Sequence, residues 1–158
     1  MVRLRSIRGV LPIALSGLLV GLAAAQQPKC KIEIRAPKTG DRVTPRAVIR
    51  GVAAVPAGMF LWVVVHKEGL TNWWPQGGGS VKPKPDGTWV VEGVFGDERR
   101  KEIGNFEITA LIVDEDGHRA LKDYVKTSEK ENAYPGTELP AVPDGGCSLK
   151  TEIVVQRQ

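Results

Sequence analysis

Lys31-Ile32-Glu33-Ile34-Arg35 alternates charged and apolar residues without a break. A period of two marks a strand with one face buried and the other in water. Reading outward, Pro37 to Asp41 stops this strand, and Val48 to Val55 reads as a second, closed by Val55-Pro56-Ala57-Gly58. Met59 to His66 is apolar on both faces through Val65 and rich in β-branched and aromatic residues. A central strand of a packed sheet needs that composition. Lys67 to Gly79 is expected as a long loop holding Trp73-Trp74-Pro75-Gln76 and the run Gly77-Gly78-Gly79. Ser80 to Lys82 leaves room for a short edge strand, limited by Pro83 and Pro85.

Pro85-Asp86-Gly87 is a strong turn signal. It leads into Thr88 to Phe95, where Trp89, Val91 and Phe95 share a face. Gly96 to Gly104 reads as a charged loop. Asn105 to Val113 alternates again, with Phe106, Ile108, Ala110 and Ile112 on one side. Asp114-Glu115-Asp116-Gly117 is expected as the next turn. The period then changes. From His118 to Glu131, Leu121, Tyr124 and Val125 fall at i, i+3 and i+4, with charged residues around them and no Gly or Pro. That spacing predicts one amphipathic helix of about three turns, docked through Tyr124. A Pro/Gly-rich connection runs from Tyr134-Pro135-Gly136 to Gly146, and Leu149 to Val155 is the last strand, with Leu149, Ile153 and Val155 on one face.

Six to seven strands with turn chemistry between them place the chain in the all-β class. The economical architecture is an antiparallel β-sandwich of two sheets, with one C-terminal α-helix inserted before the last strand.

The first 25 residues read differently. Arg3, Arg5 and Arg8 precede an uncharged apolar run from Val10 to Ala25 that ends in three alanines. This is the build of a secretory signal peptide. The run is short of the ~20 residues of a membrane span, so no stable span is expected after cleavage. The alternative is an uncleaved N-terminal anchor. The expected organisation is a signal over 1–25 and a single domain over 26–158, exported to a periplasmic or extracellular location. The formal charge of the whole chain is +4, but three of its 22 basic residues and none of its 18 acidic ones lie in the signal. What remains is a net +1, with no electrostatic footprint for nucleic acid or anionic lipid. Arg99-Arg100-Lys101, flanked by Asp97, Glu98 and Glu102, reads as a solvated loop. Two cysteines, Cys30 and Cys147, form an even pair in an oxidising compartment and are expected to be bonded to one another. The alternative is two free thiols, which without a CxxC spacing make a poor zinc site.

Ile32-Glu33-Ile34-Arg35-Ala36-Pro37-Lys38-Thr39-Gly40-Asp41-Arg42-Val43, followed by Val48-Ile49-Arg50-Gly51-Val52-Ala53, resembles the opening of bacterial immunoglobulin-like domains. Asp86-Gly87-Thr88-Trp89 and Gly104-Asn105-Phe106-Glu107-Ile108-Thr109-Ala110 resemble later strands of the same modules. The likeness covers residues 31 to about 114. It implies an immunoglobulin-like sandwich whose first and last strands lie side by side and parallel. Cys30 and Cys147, each just before a terminal strand, would then be neighbours. It also implies an adhesive, spacing or ligand-binding role, and no catalytic residues carry over from it. The helix over 118–131 departs from the usual pattern.

Little in the chain points to catalysis. His66 and His118 are the two histidines, and no G-x-S-x-G elbow, HExxH or phosphate-binding glycine loop is present. A small secreted hydrolase would have to use His66 or His118 with a nearby carboxylate. Gly77-Gly78-Gly79 lacks the lysine and following helix of a phosphate cradle. Asp114 to Gly117 offers oxygen ligands without the downstream carboxylate of a calcium loop. No cofactor and no metal site are expected. Trp73 and Trp74 are the leading binding candidates, with Asn72 and Gln76 as polar companions. Consecutive tryptophans in a loop cannot easily both point inward, and an exposed indole stacks on a sugar or anchors a protein. The competing expectation packs one indole over the open end of the core. Trp62 and Trp89 are expected in the core itself. The chain is expected to be a non-catalytic binding or structural module of the bacterial cell envelope. Its partner would be a polysaccharide or another envelope protein. The alternatives are the hydrolase and a structural subunit that self-associates through a sheet edge.

Overall fold

The computed structural model describes residues 30–96 and 104–155, with side chains up to residue 149. The expected signal over 1–25, the Arg99-Arg100-Lys101 cluster and the side chains of Ile153 and Val155 lie outside the described residues. The element order is β1 (Lys31–Ala36), β2 (Arg42–Val43), β3 (Arg46–Ala54), β4 (Phe60–Lys67), β5 (Trp73–Pro75), β6 (Thr88–Val94), β7 (Gly104–Val113), α1 (Glu115–Glu131) and β8 (Cys147–Val155).

Six of these strands follow the sequence patterns closely, and β2 and β5 are short additions. The strands form two sheets, ordered β1-β3-β6 and β2-β8-β7-β4-β5. All pairings are antiparallel except that of β2 with β8. The architecture of the described residues is therefore a mostly β sandwich of two sheets with one helix.

Alternation decides which side chains meet between the sheets. Phe106, Ile108, Ala110 and Ile112 of β7 all point inward, as do Leu61, Val63 and Val65 of β4. From the facing sheet come Ile49, Trp89 and Val91, with Phe95 just beyond β6. The Phe95 and Phe106 rings meet edge-on, their centroids 5.8 Å apart. Gly51 is the closest approach within the three-stranded sheet. A Cβ there would run into the carbonyl oxygen of Glu33 and the indole of Trp89. The Trp89 indole is fully buried and its Nε1 has no hydrogen-bond partner among the described residues.

β4 and β7 are apolar on their outer faces too, and α1 covers them there. Trp62, Val64, Leu111, Val113 and Leu121 form a second buried cluster, with Phe60, Trp73, Val125 and Leu139 packed around it. Trp62 is core, as expected, but it lies beneath the helix and not between the sheets.

Four local expectations change. The helix begins at Glu115, three residues earlier than expected. Asp114 is its N-cap, accepting the Gly117 N–H at 3.0 Å, so Asp114-Glu115-Asp116-Gly117 is a cap and first turn. The acidic first turn also complements the helix dipole. Leu121 docks the helix, whereas Tyr124 is only half-buried and holds a different segment. Ser80 to Lys82 forms no strand; it contributes a single bridge, Val81 to Leu61. Finally, β1 does not pair with β8. The chain leaves the three-stranded sheet at Pro37, turns through Lys38–Asp41 and joins the other sheet as β2. There Arg42 and Val43 lie parallel to Val154 and Val155. The parallel contact with the last strand thus belongs to β2. β1 faces β8 across the sandwich, where the Cys30–Cys147 disulfide joins them with Cα atoms 5.9 Å apart.

Candidate functional site

The segment that reads as a loop around Trp73 is the edge strand β5. His66, Val65 and Val64 of β4 pair with Trp73, Trp74 and Pro75. Three residues make a strand here because β4 supplies a finished hydrogen-bonding edge; the N–H that Pro75 lacks would face the outer side, where Trp73 N–H points, and the Gln76 N–H adds one more bond to β4. Trp73 is half-buried, packs against the cluster under the helix and stacks on His66 with ring centroids 4.7 Å apart. The backbone carbonyl of Asn72 lies 3.0 Å from His66 Nδ1.

The connection after the helix runs along the outer edge of β5. Trp73 N–H donates to the Thr137 carbonyl and Thr137 N–H donates back, each at 2.8 Å. Asn72 Nδ2 donates to the Pro135 carbonyl at 2.8 Å, and Trp74 Nε1 to the Tyr134 carbonyl at 2.9 Å. From the helix, the Tyr124 hydroxyl accepts the Gly136 N–H at 3.0 Å. Asn72, Trp73 and Trp74 are thus brought together, as a row of donors gripping peptide carbonyls.

Gln76 has a different part. It is buried, its Oε1 accepts the Val94 N–H at 2.8 Å, and its Nε2 donates to the Trp74 carbonyl at 2.7 Å. Its own N–H donates to the Val63 carbonyl. Its side-chain amide therefore ties the end of β6 in one sheet to β5 in the other, and its backbone N–H adds β4. Tyr124, expected to dock the helix, and Thr137 belong to the site but carried no sequence signal for this role, because their partners lie 12 and 64 positions away along the chain.

The two imidazoles are far from a nucleophilic arrangement. His118 stacks on Phe60 with centroids 3.9 Å apart, and its Nδ1 accepts from Trp62 Nε1 at 3.2 Å. Neither imidazole is hydrogen-bonded to a hydroxyl, thiol or carboxylate among the described residues. Glu107 sits opposite His66 in the β4–β7 register, and the Thr109 hydroxyl donates to it at 3.3 Å. Among the described residues no group of three or more His, Cys, Asp or Glu side chains is placed to hold a metal ion. No described helix is long and apolar enough to cross a membrane.

The β6 edge is partly closed. Val90 and Glu92 turn their backbone groups outward, but Lys84 N–H occupies the Thr88 carbonyl and Gln76 occupies the Val94 amide. A strand of another copy would meet those two blocks before it could pair along the edge. No family model matches the chain, and comparison with curated proteins and with solved structures finds no match.

Proposed function

We propose that the chain is an exported, non-catalytic immunoglobulin-like binding module of the bacterial cell envelope, and that its binding surface is the β5 edge with Asn72, Trp73 and Trp74. The observation that carries this reading is the row of three donors, Asn72 Nδ2, Trp73 N–H and Trp74 Nε1, along one sheet edge, each taking a peptide carbonyl of residues 134–137. An edge built only for stability needs its backbone groups covered; here two side chains add donors of their own. The strand order supports the immunoglobulin-like assignment. β1-β3-β6 and β4-β7-β8 match the A-B-E and C-F-G sets of such sandwiches. α1 then stands where a short loop joins the last two strands. The Cys30–Cys147 disulfide supports export, because such bonds persist in oxidising compartments. The partner is an envelope component, polysaccharide or protein.

The test is capture from the cell-envelope fraction by purified protein lacking residues 1–25. A Trp73→Ala/Trp74→Ala variant, shown folded by circular dichroism, runs alongside. Capture of a defined polymer or protein that the variant loses is the expected result. Equal capture by both proteins would remove the β5 edge as the binding surface.

A further inference from the structure

We infer that the β5 edge is a docking groove for an extended peptide carrying a Pro-Gly pair, filled in cis by the chain's own Tyr134-Pro135-Gly136-Thr137. This inference rests on the reading of the β5 edge as the binding surface and names the class of ligand it takes.

The contacts that hold the segment read its backbone. The carbonyls of Tyr134, Pro135 and Thr137 each take a donor from β5 or its flank, and the amides of Gly136 and Thr137 are bonded in turn. A second peptide of the same conformation would present the same groups. The groove does select at one place. A Cβ on Gly136 would sit 2.6 Å from the Asn72 Cβ and 3.0 Å from the Trp74 indole, and the residue has φ +83°. Only glycine fits both the space and the backbone. A preceding proline holds the chain extended at little entropic cost and leaves its carbonyl free, which suits recognition by indole and amide donors.

The same geometry argues against a sugar. Carbohydrate recognition by tryptophan needs an open ring face. Trp73 stacks on His66, and Gly136 lies against the Trp74 indole. What both residues offer outward is an N–H, the group that finds a carbonyl.

The segment is held by polar contacts, with little burial. Residues 131–135 are exposed, Tyr134 to 57 %, and none of residues 131–137 belongs to either apolar cluster. Elements of that kind open at the low end of a protein's stability range. While the segment is docked, an outside peptide sees only the fraction of molecules that are open.

Gly136→Ala provides the test, because its Cβ would clash with Asn72 and alanine disfavours the φ of +83°, while no groove residue is substituted. A fluorescein-labelled peptide with the sequence of Ala133–Pro140 is titrated into the wild-type and Gly136→Ala proteins and followed by anisotropy. Hydrogen exchange at the Thr137 amide reports release of the segment. The expected result is faster exchange in the variant and peptide binding at least ten-fold tighter than to wild type. A Pro-Ala version of the peptide should not bind, and Asn72→Ala in the variant background should weaken binding several-fold. Two outcomes overturn the inference: a Thr137 amide that stays protected in Gly136→Ala, or a released segment with no peptide binding at millimolar concentration. Envelope capture that needs Trp73 and Trp74 but is unaffected by excess peptide would also overturn it, while leaving the binding module itself standing.

Discussion

Replacing Gln76 by leucine tests the conversion of a ligand candidate into a clamp between sheets. Leucine keeps most of the buried volume and removes both polar contacts, the 2.8 Å bond from the Val94 N–H and the 2.7 Å bond to the Trp74 carbonyl. Two such bonds are worth about 1 kcal/mol each net. The Val94 N–H, at the end of β6 and pointing away from β3, is left without an acceptor, which adds about 1 kcal/mol or more. The expected loss is about 2–4 kcal/mol. With an m-value near 2 kcal/mol/M in urea, the unfolding midpoint should fall by about 1–2 M. Amide exchange supplies the site-specific readout: the Val94 amide should lose protection, while those of β7 keep theirs until global unfolding. A midpoint within about 0.3 M of wild type, with Val94 still protected, would refute the clamp and return Gln76 to the list of ligand contacts.

Loss of the Cys30–Cys147 bond frees a loop with a sequence separation of 117. The chain-entropy model assigns it about 5 kcal/mol, or about 15–20 °C in Tm for a domain of this size. A drop below 3 °C in a Cys30→Ala/Cys147→Ala variant would show that the bond does not act by limiting the unfolded chain. Gly51→Ala places a methyl group against the Glu33 carbonyl and the Trp89 indole and should cost about 3 kcal/mol or more, seen as poor recovery of folded protein. A wild-type thermal midpoint would contradict that packing. Asp114→Ala removes the helix N-cap and should cost about 1 kcal/mol by thermal denaturation, with Asp114→Asn restoring most of it; equal loss in both variants would mean that the cap is not the cause. The Thr88 hydroxyl and amide hold the Asp86 carboxyl below its ordinary 3.8. Its hydrogen bonds are therefore present above that value and fade as pH falls through the lowered one. The Thr88 amide resonance should titrate with a midpoint under 3.8, and a midpoint at or above it would exclude the interaction in solution.

Much of this protein could be read from local pattern. Period-two runs such as Lys31–Arg35 and Asn105–Val113 are strands because alternation is a one-dimensional property, and the pleat converts it directly into two faces. Pro85-Asp86-Gly87 turns because Asp86 bonds the Thr88 amide two residues on, and the i, i+3, i+4 spacing of Leu121, Tyr124 and Val125 is helical for equally local reasons. The disulfide was legible from the even pair of cysteines taken with the expected export. The candidate site was legible in part. Asn72, Trp73 and Trp74 stood out by composition, but their roles depend on carbonyls 60 to 64 positions later in the chain.

Tertiary structure decided what local pattern leaves open. Met59 to His66 reads as buried on both faces, yet nothing in those residues says that α1 is the second cover. That choice is made by Leu121 finding Trp62 and Val64. Trp73-Trp74-Pro75 is too short to read as a strand and becomes one only because β4 offers a free edge. Gln76 and Tyr124 look like a ligand contact and a docking residue; the folded chain makes one a clamp between sheets and the other an acceptor for Gly136. A side chain's period is set by its neighbours in sequence, whereas the partner of a buried amide or an indole N–H is set by whichever distant backbone group is brought within about 3 Å.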